Sequence, residues 1–336
     1  MNEKTKQIKL TIRKPEAGLP IDKAILSYYQ EISRKKLRRI LDMGGIKLNG
    51  KRVQRGSLTV ATNDQVSILY SKQDIESKSP NKFSLSPKEI LFENKDLIAI
   101  NKAPLLASQA SRSTAVPHVE PVVNAYFNSK GLTLKHQLCH RLDKETSGIL
   151  LLGRNETATD FVMQQFKNKE VKKTYLALCY GIPKHNIWSV SKHLSPISKK
   201  TSMVRVVHSG GKPSFTGFKL LEAFPSFGIS LVECSPKTGR SHQIRVHLES
   251  CGLPIVGDKK YGLNQHKRLP AKLAGIALTH HFLHAAKISL KSPNGKNIKV
   301  SAPLPFNFRE FLTIISKKDS PVDLISFKQK YQIIEH

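Results

Sequence analysis

Three short stretches combine side chains that can do chemistry with spacings that can hold them. The first is His140–Arg141–Leu142–Asp143–Lys144–Glu145–Thr146–Ser147–Gly148, followed by the apolar run Ile149–Leu150–Leu151–Leu152. A polar cluster leading into a buried strand suits a site at a strand end, where the backbone is rigid and side chains face a cleft. Asp143 has Arg141, Lys144 and His140 as sequence neighbours, which favours its carboxylate form and makes it a candidate nucleophile. On these residues alone, a solvated turn of mixed charge is the commoner reading.

The second stretch, KKTYLALCYG at 172–181, alternates like a strand with Tyr175, Ala177 and Cys179 on one face. A strand tyrosine by itself is ordinary packing. The third, TGRSHQIRVHL at 238–248, reads as a Thr-Gly turn, a Ser241 N-cap and a helix. On that helix His242, Arg245 and Glu249 share one side, and Ile244, Leu248 and Cys251 the other. Arg245 beside a carboxylate such as Asp143 would make a charge-assisted pair that orients the acid. The alternative is an amphipathic helix whose Arg245 pairs with Glu249 four residues on.

These groups need a frame. From Lys88 onward short apolar strands such as Leu97–Ile98–Ala99–Ile100 alternate with helical stretches. That predicts the α+β class, with a mixed, mainly antiparallel sheet over residues 88–315. Residues 71–87 are polar, Ser/Lys-rich and Pro-punctuated, the composition of a flexible linker. Residues 19–70 read as a small separate domain. Ile21, Ala24, Ile25 and Tyr28 form a helical stripe; Ser33 caps a second helix buried through Leu37, Ile40 and Leu41 and closed by Gly44–Gly45. An Asn49–Gly50 turn then joins two short strands. From Glu31 to Gly56 there are nine basic residues against two acidic ones. Lys35, Arg38 and Arg39 point away from the apolar stripe, and with Lys51 and Arg52 they make a one-sided basic face.

Bulk composition agrees with a polyanion as partner. The 336 residues carry 55 Lys+Arg against 25 Asp+Glu, a formal charge of +30, which exceeds what solubility requires and favours nucleic acid. The 39% hydrophobic content is enough for two cores. Apolar runs are too short to span a bilayer, no basic amphipathic helix with aromatic anchors stands out, and no signal core follows Met1, so a cytoplasmic protein is expected. Four cysteines without a CxxC pair suggest buried thiols in a reducing compartment. His280–His281–x–x–His284 lacks a nearby acidic or thiol ligand and is not expected to hold a metal. Asp143 with His140 does not make a hydrolase triad, because no Ser or Cys sits in a nucleophile elbow.

The segment over residues 19–69 resembles an S4-type RNA-binding module. HRLDKETSGILLLGRNE, KKTYLALCYG, TGRSHQIRVHLESCGLPIVGDKKYG and LTHHFLHAAKISLKSPNGKNIKVSAPLP, in that order behind it, resemble the RluA-type pseudouridine synthases. The resemblance spans roughly residues 19–309. It implies an isomerase that acts on structured RNA, with large-subunit ribosomal RNA expected and tRNA the alternative, as a monomer and without metal, nucleotide or redox cofactor. The HRLD aspartate maps to Asp143 as the nucleophile, attacking either the sugar C1′ or the base C6. The strand tyrosine that stacks on the target base maps to Tyr175, and the basic residue paired with the aspartate maps to Arg245. Arg141 stands where the family inserts a side chain beside the extruded nucleotide. One departure is Asn101–Lys102–Ala103–Pro104–Leu105, where the family often has a KPaG-like turn, and Ser108–Pro121 lacks the usual Gly-rich form. A rival reading is a non-catalytic RNA-binding or ribosome-assembly protein.

Overall fold

The computed structural model describes residues 6–29, 37–38, 40–41, 44–53, 56–70, 83–110, 117–132, 137–198, 200–262 and 278–319. The chain forms two compact units, residues 1–82 and 83–336.

In the first unit, strands β1 (Lys6–Thr11), β2 (Ile46–Leu48), β3 (Lys51–Arg52) and β4 (Gln65–Tyr70) form an antiparallel sheet in the order β1-β4-β2-β3. The sheet therefore starts ahead of residue 19, where the sequence reading placed the domain edge. Helix α1 (Ile21–Tyr28) buries Ile21, Ala24 and Ile25 against Leu10, Ile46 and Ile68, and Leu37, Ile40 and Leu41 join the same core. The β2–β3 turn works because Asn49 and Gly50 both adopt positive φ, 49° and 79°, matching the twist of a tight hairpin. Ser33, Lys35 and Arg39 lie outside the described residues.

The second unit is built on an eleven-stranded sheet among the described residues. Its strands are β5 (Ile90–Glu93), β6 (Leu97–Lys102), β7 (Gln137–Leu138), β8 (Ser147–Gly153), β9 (Lys172–Tyr180) and β10 (Ile187–Leu194). They continue as β11 (Val206–Val207), β12 (Lys212–Phe224), β13 (Ile229–Pro236), β14 (Leu283–Lys291) and β15 (Asn297–Ser301). The order is β11-β10-β12-β13-β9-β14-β8-β6-β5, with β15 beside β14 and β7 beside β8. Among the described pairs only β8 and β14 run parallel; the fold is mixed α+β, as expected. Phe83 and Leu85 pack into this unit's core, so the expected linker over 71–87 gives way to packed chain by residue 83.

β8 explains its own uninterrupted apolar run. Every residue in it is buried, Ile149 and Leu151 facing one core and Leu150 and Leu152 the other. Helix α2 (Val119–Asn128) covers the second face through Val123 and Phe127. Helix α3 (Glu156–Lys167) covers the first through Ala158 and Val162; its Asn155 cap accepts from the Ala158 amide at 2.8 Å. Further along the sheet, helix α4 (Gln243–Glu249) packs Ile244 and Leu248 on Ala177 and Cys179, and helix α5 (Phe306–Asp319) packs Phe308 and Phe311 beside Leu176 and Leu178. Gly148 pairs with Ala285 of β14 at close range: at φ +105°, a Cβ there would lie 2.3 Å from the Ala285 carbonyl oxygen.

Candidate active site

Asp143 lies in the turn entering β8, its side chain about a quarter exposed. Almost every neighbour of that turn is fastened. Ser108 Oγ donates to the Leu142 carbonyl at 2.8 Å and accepts from the Leu142 amide at 3.0 Å. Thr146 Oγ1 and His281 Nε2 are 2.9 Å apart. Lys102, 1% exposed, donates from Nζ to the carbonyls of Ala103 (3.0 Å), Leu106 (2.8 Å) and Lys144 (3.2 Å). Burial drives the Lys102 pKa down to about 7, against the opposing pull of the Asp143 charge. One buried lysine thus ties the atypical 103–106 turn, in which Leu105 adopts φ +70°, to the residue after Asp143.

Two more staples fix the entry to the sheet. His284 Nε2 faces the Ala302 carbonyl at 3.2 Å, which can only accept, so Nε2 carries the proton and Nδ1 accepts from Ser147 Oγ at 2.9 Å. His140 Nε2 accepts from the Leu151 amide at 3.0 Å, and its ring stacks on Phe166. Burial pushes the His140 pKa down to about 3, with the Lys173 charge adding to the effect. The expectation that His140 helps hold Asp143 charged is therefore corrected: its ring is a neutral part of the sheet's packing. Arg141 is exposed and donates to Gln109 Oε1 at 3.0 Å, in the same atypical loop.

Arg245 meets the nucleophile candidate from across the sheet, Nη1 donating to Asp143 Oδ2 at 2.9 Å. Its other side makes a second ion pair, with Asp258, that the sequence reading did not single out. Burial works against the guanidinium charge, but Asp258 first and Asp143 next raise its pKa well above the usual value. Glu249 is exposed and is not its partner. Nor is α4 the amphipathic helix of the alternative reading, because Gln243 to Leu248 are all buried. Ser241 does not cap it either; the residue before the helix is His242, at φ +54° and without a side-chain cap.

What holds the helix instead is a polar chain read from both ends. Ser214 Oγ donates to the Lys192 carbonyl at 2.6 Å, so it accepts from His247 Nε2 at 2.8 Å. His247 Nδ1 then accepts from Thr216 Oγ1 at 2.9 Å, and Thr216 Oγ1 accepts from Gln243 Nε2 at 2.9 Å. The Gln243 carbonyl oxygen takes the Thr238 hydroxyl and the Arg240 amide. Each group has a partner, and the result aims Arg245.

Tyr175, on β9 between Cys234 and Ala285, is half-buried, and among the described residues its hydroxyl has no hydrogen-bond partner. Burial first, and the Asp143 charge next, raise its pKa, so it is a neutral phenol. The site therefore joins a carboxylate, a guanidinium and an aromatic ring from three separate stretches.

The rest of the expected residues divide. Arg38, Lys51 and Arg52 are exposed in the first unit; Arg52 also donates from Nε to the Gly44 carbonyl at 3.0 Å. Cys139, Cys179 and Cys234 are buried but Cys251 is exposed, against the expectation of four buried thiols. His280, His281 and His284 all engage protein partners, Asn307, Thr146 and Ser147. Among the described residues no helix is long and apolar enough to cross a membrane.

Known proteins resemble this chain in sequence and fold. The family described as RNA pseudouridylate synthase matches residues 96–250. A protein of Pasteurella multocida named ribosomal large subunit pseudouridine synthase C is 32% identical over 319 residues, 93% of this chain and 94% of its own. Its namesake in Escherichia coli K12 is 31% identical, covering 90% and 95%. Among solved structures, human RNA pseudouridylate synthase domain containing 4 superposes with a TM-score of 0.54 at 25% identity, over 67% of this chain and 92% of its own.

Proposed function

The chain belongs to the RNA pseudouridylate synthase family, and from that premise we propose that it isomerises specific uridines of large-subunit ribosomal RNA, with Asp143 as nucleophile. The observation that carries the chemistry is the 2.9 Å contact between Arg245 Nη1 and Asp143 Oδ2, made by a fixed arginine to a partly exposed acid at the end of a fully buried strand. The ribosomal substrate is supported by the names of relatives that match this chain over most of its length.

In this reading the uridine leaves its stack and enters the pocket, since the glycosidic bond is out of reach inside a helix. Asp143 adds to an electrophilic carbon of the nucleotide, the sugar C1′ or the base C6. The N1–C1′ bond breaks, the uracil turns, C5 bonds to C1′, and the bond between Asp143 and carbon breaks to return the free carboxylate. The C5 proton is lost and N1 ends protonated. Tyr175 offers its ring to the base, and Arg141 occupies the space the base vacates. Arg245 holds the carboxylate in line, the positioning share of catalysis. The first unit, read as an S4-type module over residues 19–70, binds the RNA through Arg38, Lys51, Arg52 and the companion residues Lys35 and Arg39.

Asp143→Asn tests the assignment, because the amide keeps the shape and loses the nucleophile. Pseudouridine in ribosomal RNA, quantified after prolonged incubation, is expected at background with RNA affinity retained. Substantial product from this variant would overturn the assignment.

A further inference from the structure

We propose that Asp258 is the positioning residue of this site: it, rather than Asp143, fixes the Arg245 guanidinium, so that the contact to the nucleophile can be broken and remade. The inference rests on the roles given above to Asp143 and Arg245.

The two carboxylates hold the same cation unequally. Asp258 takes the fork, with Nε donating to Oδ2 at 2.7 Å and Nη2 to Oδ1 at 2.9 Å. Asp143 receives one bond, from Nη1. Asp258 is fully buried, whereas the Asp143 side chain is 27% exposed. Asp258 Oδ1 also accepts the amides of Lys260 (2.9 Å) and Tyr261 (3.1 Å). Burial alone would raise its pKa; the Arg245 hydrogen bonds and charge outweigh that and lower it.

The backbone fixes the aim. Gly257, just before it, has φ +81°, and a Cβ there would come within 2.3 Å of the His280 carbonyl oxygen. The chain passes so closely at that point that Asp258 has little room to shift. Tyr261 completes the seat. Its ring lies under the guanidinium, 4.9 Å from centroid to Cζ. Its hydroxyl accepts from the Val204 amide at 2.8 Å and sits 2.9 Å from His242 Nδ1.

This asymmetry has a chemical use. When Asp143 bonds to carbon, its charge disappears, and an arginine held only by that charge would relax away. Held by Asp258, Arg245 stays in place for the moment when the carboxylate is released, which is preorganisation.

A double-mutant cycle tests this. Single-turnover rate against RNA concentration is measured for the wild type, Asp258→Asn, Arg245→Ala and the double variant, with folding checked by thermal unfolding. Asp258→Asn should lower the saturating rate by about a hundredfold, as misplacing a catalytic contact does, with the half-saturating RNA concentration unchanged. In the Arg245→Ala background the same substitution should change nothing further. A wild-type rate for Asp258→Asn, or an equal loss in both backgrounds, would overturn the proposal. Should Asp258→Asn not fold, Asp258→Glu replaces it in the cycle with the same two deciding outcomes, since it keeps the charge and displaces the guanidinium by one methylene. Asp143→Asn is run alongside: turnover there would reject the reading of the site itself, whatever the cycle shows.

Discussion

In the second unit two cations near Asp143 are buried and tied down: Lys102 by three carbonyls, Arg245 by two acids and an aromatic face. In the first unit Arg38, Lys51 and Arg52 stand exposed to solvent. The difference follows from what burial costs. A charge taken out of water must be paired and hydrogen-bonded, so its position becomes fixed. A charge left in water is screened, so it contributes field more than geometry. The first arrangement suits chemistry at one atom, the second suits holding a phosphate backbone.

Substitutions should separate these two modes. Among the cations, the largest effect is expected at Arg245. Arg245→Ala should lower the single-turnover rate by two to three orders of magnitude, about the loss seen when one preorganised donor is removed, while RNA affinity changes little. Near wild-type turnover with intact binding would mean that burial and pairing do not translate into catalysis here.

The buried polar network should also show itself in stability. His284 is fully buried and its pKa is pushed down to about 4, burial being the main cause. The unfolded chain therefore binds a proton below about pH 6.5 that the folded one refuses, so this stability is full above that pH and is lost as pH falls toward 4. The slope is about 1.4 kcal/mol per pH unit for one such group. In His284→Gln, denaturant unfolding of the protein should show a shallower loss between pH 6.5 and 5. An unchanged slope would show that His284 does not stay neutral in the fold.

The smallest effect is expected at the open basic face. Replacing Arg38, Lys51 and Arg52 by Ala should weaken RNA binding and flatten its salt dependence, by roughly 0.7–0.9 in log–log slope for each lost phosphate contact. A salt dependence that keeps its wild-type slope would remove this face from the RNA interface.

The same contrast decides what was legible in the sequence. β8 could be read from its apolar run, and the hairpin at Asn49–Gly50 from its turn residues, because both signals are local. Asp143, Tyr175 and Arg245 could be singled out because each sits in a distinctive stretch, but their proximity is tertiary. Asp258 was missed since its partner lies 13 residues away across a turn, and nothing in GDKKYG announces a buried acid. Lys102 resembles any strand-end lysine until burial and three carbonyls mark it. The burial of α4 was not legible for a related reason. Gln243 and His247 look like a solvent face, yet a hydrogen-bond chain through Thr216 and Ser214 lets them be buried.

The most direct measurement sets the two modes side by side. Single-turnover pseudouridine formation is followed against ribosomal RNA concentration for Asp143→Asn and for the Arg38, Lys51 and Arg52 triple alanine variant. Asp143→Asn should lose the plateau rate and keep wild-type RNA affinity, measured directly by binding. The triple variant should keep the plateau and reach it only at higher RNA concentration. A plateau that collapses in the folded triple variant, or survives in Asp143→Asn, would contradict the account.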